Sequence, residues 1–119
     1  QQKGSNITAE RLRFDFSHSE KMKAEEMGKV EKMVNEKIQD NLPVTMEIMD
    51  LEKAEKSGAL GFFKEKYSDK VKVYKMGLFS VEICGGPHVD FTGKLKRFRI
   101  IKETAAGAGV RRIYATIHL

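Results

Sequence analysis

Polar and apolar residues alternate strictly along Arg11-Leu-Arg-Phe-Asp-Phe16, with Leu12, Phe14 and Phe16 all pointing one way. A two-residue period suits a strand with one buried face and suits no helix. Val44 to Ile48 repeats the pattern, as do Val71 to Met76 and Phe79 to Ile83, which predict a hairpin turning around Gly77. Leu95 to Ile101 and Val110 to Ile117 predict two more strands, joined by a Gly/Ala loop from Ala105 to Gly109. The period changes between Glu20 and Asp40, where Met27, Val30, Val34 and Ile38 form one helical stripe.

Punctuation supports these elements. Ser17-His-Ser-Glu20 fits a capping box at the helix start, and Asn41 and Pro43 stop the helix. Gly28, costly inside a helix, predicts a close packing contact. Asp50 predicts a capped short helix from Leu51 to Ser57, closed by Gly58. The aromatics of Ala59-Leu-Gly-Phe-Phe63 read as core, and Gln1 to Asn6 shows no periodicity. Strands and helices mix without βα alternation, so the expected fold is α+β. It is one largely antiparallel sheet with the long helix and the short helix packed on it. Leu12, Phe14, Phe16, Val30, Val34, Ile38, Val81, Ile83 and Ile113 are expected to share one core.

The chain has 119 residues and one cysteine, enough for a single compact domain and too few thiols for an intrachain disulfide. No apolar run approaches the ~20 residues that span a bilayer, so no membrane partner is expected and a soluble intracellular domain is. Net charge is +5, and all of it lies beyond Ile83. From Cys84 onward seven basic residues face only Asp90 and Glu103, while residues 1–83 balance to zero. That asymmetry points to a polyanionic partner or to a solvated lysine-rich surface.

The chemistry-bearing segment is Val81-Glu-Ile-Cys84-Gly-Gly-Pro-His88-Val. Thiolate and imidazole are favoured zinc ligands, and the two glycines let the chain turn so that both reach one ion. The pair supplies two ligands where a tetrahedral site takes at least three from protein. Two other readings stand beside it. One is a buried cysteine next to an unrelated histidine; the other is a Cys–His nucleophilic pair with Asp90 as its orienting group. His18 reads as a cap-region or core contact, and His118 sits at a terminus.

Taken in order, Gln2-x-Gly4-Ser5, Arg11-Leu-Arg-Phe-Asp-Phe-Ser-His18, Cys84-Gly-Gly-Pro-His88-Val and Gly109-Val-Arg-Arg-Ile113 resemble the editing domain of alanyl-tRNA synthetase. Asn35 to Val44 and Gly58-Ala…Glu65-Lys-Tyr67 are similar to that family too, so the likeness runs over nearly the whole chain. Threonyl-tRNA synthetase and free-standing editing proteins have related domains. Pro87 replaces the usual Thr, and Ile117-His-Leu119 the usual Thr-Gly.

The resemblance implies hydrolysis of the ester joining serine or glycine wrongly to alanine tRNA. A pocket for alanine cannot sterically exclude glycine and discriminates weakly against a hydroxyl, so a second hydrolytic site supplies the missing selectivity. It implies Zn2+ held by an upstream His-x-x-x-His pair together with Cys84 and His88. The upstream pair would precede Gln1, so a fragment of a longer chain with weak zinc binding and little activity of its own is expected. The resemblance also implies Gln2 as a polar pocket residue; together with the basic last third of the chain it makes Arg97, Arg99 and the exposed one of Arg111 and Arg112 the expected tRNA phosphate contacts. The partners are tRNA and the rest of the synthetase, whose other domains would bind ATP and activate alanine. A tRNA-binding module without catalysis is the alternative.

Overall fold

The computed structural model describes residues 1–61 and 68–118. Phe62, Phe63 and the Glu65-Lys-Tyr67 motif lie outside the described residues. Among the described residues, seven strands and two helices follow in the order β1 (Gln2–Ile7), β2 (Leu12–Ser17), α1 (Ala24–Gln39), β3 (Val44–Asp50), α2 (Leu51–Lys56), β4 (Lys70–Met76), β5 (Ser80–Ile83), β6 (Arg97–Gly107) and β7 (Val110–His118). A single 3-10 turn, Thr92–Leu95, precedes β6. The class is α+β with every sheet pairing antiparallel. The expected single sheet is instead two, β1-β2-β7-β6 and β3-β4-β5. They belong to two compact units, Gln1–Gln39 with Leu95–Leu119 and Asp40–Lys94.

In the first unit α1 packs on β6. Ile38, Phe98, Ile113, Ala115 and Met22 are buried together, with Leu12, Phe16, Met27 and Val34 against them. In the second, Met49, Ala54, Ala59, Val71, Val73 and Ile83 form another cluster, with Val81 packed on it. The expected single core is therefore two clusters. Phe14 and Val30 are exposed, at 37% and 38%, although their neighbours Leu12, Phe16, Met27 and Val34 pack on the cluster.

Several boundaries move for identifiable reasons. Ser17 ends β2 rather than capping a helix: its N–H donates to the Gln1 carbonyl at 2.8 Å, beside a β1 strand that has no periodicity of its own. The helix begins at Ala24, where the Glu26 carboxylate accepts the Lys23 N–H at 2.9 Å. That is one half of a capping box, displaced along the chain. Asp50 makes no side-chain cap, since it faces Lys70 in register and its carboxylate pairs with Lys70 Nζ at 2.6 Å. Gly58 closes α2 as expected, at φ 81°. A Cβ at Gly28 would meet nothing within 4 Å, so no close contact accounts for that glycine. Beyond Ile101, β6 continues to Gly107, leaving a tight turn before Val110.

Two ion pairs anchor the first unit. Glu103 receives both Arg111 Nε at 2.6 Å and Nη2 at 2.7 Å, and also the Met22 N–H at 3.0 Å. Asp15 receives Arg112 Nε at 2.8 Å and Nη2 at 2.9 Å. The Arg111 fork, helped by the Met22 amide and opposed by burial, holds the Glu103 carboxyl at about 2. The Arg112 fork likewise holds Asp15 below the usual carboxylate range. A carboxylate whose native pKa is depressed stabilises the fold above its unfolded value, and that contribution disappears as pH falls toward the native value. Urea midpoints should therefore fall steadily from about pH 5 to about pH 2. Glu103→Gln should be less stable at neutral pH and flatter across that window. An unchanged slope in the variant would refute this assignment.

Candidate functional site

Cys84 follows directly on β5 and keeps the ladder for one more residue, donating its N–H to the Lys72 carbonyl at 3.1 Å. The glycines then turn the chain back, and the His88 ring lands on Tyr74 of β4 with centroids 3.7 Å apart and planes at 22°. His88 Nδ1 lies 2.9 Å from the Gly86 carbonyl oxygen. A carbonyl can only accept, so Nδ1 carries the proton and Nε2 presents its lone pair. Metal-binding histidines use this arrangement: a backbone acceptor fixes the tautomer and leaves the other nitrogen to the ion. Cys84 is half-buried and forms no disulfide.

The donor types thus suit zinc, and the count of two makes half a tetrahedral set. Among the described residues no group of three or more His, Cys, Asp or Glu side chains could hold a metal. The nucleophilic-pair reading loses its orienting group, because the Asp90 carboxylate pairs with Lys94 Nζ at 2.6 Å and His88 is held by Gly86. His18 is a local contact as expected: its Nδ1 accepts the Glu20 N–H at 3.2 Å, and its ring meets Phe16 edge-on. The His118 backbone pairs with Arg97. Gln2 lies in β1 opposite Phe16, beside a bulge that runs to Gly4. It belongs to the first unit, whereas Cys84 and His88 belong to the second.

Arg97 and Arg99 are exposed on β6, flanking the buried Phe98. Arg111 and Arg112 take opposite faces of β7, as alternation demands. Arg111 lies on the α1 side with Glu103 and is 17% exposed; Arg112 is 28% exposed beside Asp15. The more exposed of the two is therefore Arg112. Tyr74 is a residue that no motif points to. Its one signal in the sequence is the alternation of β4, which places it opposite the buried Val71 and Val73.

A family model described as "Threonyl and Alanyl tRNA synthetase second additional domain" matches residues 71–114. An alanine–tRNA ligase of Treponema denticola is 63% identical over 117 residues, covering 98% of this chain and 20% of that protein. Almost the whole chain is thus similar to one segment of an alanine–tRNA ligase, and residues 71–114 carry the second additional domain pattern. The alanine–tRNA ligase of Treponema pallidum is 61% identical, with 98% of the chain and 19% of the relative covered. That of Lachnoclostridium phytofermentans is 53% identical, with 97% and 13% covered. The chain spans a fifth or less of the length of these relatives. No helix among the described residues is long and apolar enough to cross a membrane.

If Gly86 and Tyr74 set the ring, nitrogen NMR of the metal-free chain should find neutral His88 protonated at Nδ1. Tyr74→Leu should remove the upfield ring-current shift of the His88 ring protons while leaving the fold intact. A dominant Nε2–H form would contradict the geometry.

Proposed function

We propose that this chain is part of the editing domain of an alanyl-tRNA synthetase and serves hydrolysis of serine or glycine misattached to alanine tRNA. The observation that carries the reading is the Cys84–His88 turn, with the imidazole tautomer set by Gly86 and the ring resting on Tyr74. It stands in a chain whose alanine–tRNA ligase relatives match it almost end to end. In this reading Cys84 Sγ and His88 Nε2 are two of four zinc ligands, the other two being histidines of a His-x-x-x-His segment upstream of Gln1. Zinc bound there would act as a Lewis acid toward the ester carbonyl or toward an attacking water, or would orient the aminoacyl group.

The residues of this chain do the rest by binding and orientation. The Gln2 amide offers a donor and an acceptor to the aminoacyl group. Arg97, Arg99 and Arg112 offer cations to phosphates, which position RNA without reading its sequence. The remainder of the synthetase, with its ATP-dependent alanine activation, is the partner chain region, and the cytoplasm is where its charged tRNA is made.

Deacylation and metal content measured together test this. The 119-residue chain should release serine from Ser-tRNA for alanine slowly and hold little zinc. The same chain extended upstream to include a His-x-x-x-His segment should gain both zinc and hydrolysis. Cys84→Ser in the extended chain should lose both. Full hydrolysis by the 119-residue chain without metal would overturn the proposal.

A further inference from the structure

The four-stranded sheet of the first unit has two unlike faces. One carries α1 and the buried cluster of Ile38, Phe98, Ile113 and Ala115. The register puts Arg13, Tyr114 and Lys102 side by side on the other face, with Asp15 beside Arg112 and Arg99 beside Thr116. Arg97 joins them opposite His118. Arg11 reaches the same face, its guanidinium 5.4 Å from the Tyr114 ring centroid, and Lys102 Nζ lies 4.7 Å from that centroid. Arg11, Arg13, Arg97, Arg99, Lys102 and Arg112 therefore share one face with a single carboxylate, Asp15. Asp15 already accepts both prongs of the Arg112 fork and forms an ion pair with Arg13 Nε at 3.8 Å. Among the described residues, Arg11, Arg97, Arg99 and Lys102 have no carboxylate partner.

We infer that this helix-free sheet face is a docking surface for RNA, held by phosphates. The inference rests on the tRNA reading for its class of partner and goes beyond it in naming the surface and adding Arg11, Arg13, Lys102 and Tyr114. Two features favour a ligand over a solvated surface. Tyr114 holds Arg11 and Lys102 against its ring, which reduces the disorder two long cations would otherwise lose on binding. The second is the charge imbalance itself: Arg11, Arg97, Arg99 and Lys102 stand together with no carboxylate partner among the described residues, and phosphate oxygens are the acceptors that a guanidinium recognises best. Tyr114, already occupied by two cations, organises the surface and does not itself read a base. Arg111 is excluded, because it lies on the helix side in the grip of Glu103.

Fluorescence-anisotropy titration of an unacylated tRNA with the 119-residue chain tests this at several salt concentrations. Arg11→Gln/Arg99→Gln/Lys102→Gln should weaken binding at least tenfold at low salt. It should also reduce the slope of log K against log salt by about 0.7–0.9 for each phosphate that the variant no longer neutralises. The effect should be the same for an unrelated RNA. Lys29→Gln/Lys32→Gln on α1 removes cations from the opposite side and should change affinity less than twofold. Tyr114→Leu should weaken binding less than the triple variant, with a smaller change in the salt slope than the removal of one cation brings. An equal weakening in the α1 control would mean diffuse attraction and would overturn the surface. Tighter binding to phosphatidylserine vesicles than to tRNA, abolished in the same triple variant, would overturn RNA as the partner. Hydrolysis plays no part in these readouts: binding as described, together with an upstream-extended chain that takes up zinc yet never deacylates, would leave this surface standing and remove the editing reading.

Discussion

Arg111 and Arg112 are neighbours in sequence, and a strand must send them to opposite faces of its sheet. Each meets a carboxylate there in a two-pronged contact, Glu103 on the helix side and Asp15 on the other. Much of the first unit follows from that division. Glu103 also accepts the Met22 amide, so one carboxylate ties β6, β7 and the approach to α1 together. Asp15, engaged by Arg112 and Arg13, is the one carboxylate on its face among the described residues, which leaves the remaining cations there without an offset. The same alternation that stabilises the sheet therefore segregates its charge.

Local periodicity makes most elements legible. Alternation locates β2, β3, β4, β5 and β7, and the Met27–Ile38 stripe locates α1. What it cannot supply is partnership. β1 has no apolar rhythm of its own and is a strand because Arg13, Phe14 and Asp15 of β2 offer it a ladder. Its presence takes the Ser17 amide, and the helix start moves downstream as a result. Asp50 resembles a cap because the residues after it are helical, but its cross-strand neighbour Lys70 claims the carboxylate. The division into two sheets is a long-range choice. It is visible in pairings such as that of β2 with β7, where Phe14 meets Ile113, which no local pattern encodes.

The candidate site shows the same boundary between local and distant information. A cysteine and a histidine four positions apart across two glycines are readable directly, and so is their suitability for zinc. The groups that orient the histidine are harder to see. The Gly86 carbonyl becomes its acceptor only once the turn has formed, and Tyr74 comes beneath the ring only once β4 pairs with β5. Both hold the His88 ring in place, with Gly86 rather than Asp90 at its Nδ1.

The zinc-ligand role proposed for Cys84 and His88 can be read from zinc K-edge X-ray absorption on a whole alanine–tRNA ligase carrying this chain. The spectrum should show one sulfur scatterer at about 2.3 Å with nitrogen neighbours at about 2.0–2.1 Å, the sulfur shell vanishing in Cys84→Ser. A zinc shell of nitrogen and oxygen alone in the parent protein, unchanged by that substitution, would contradict it.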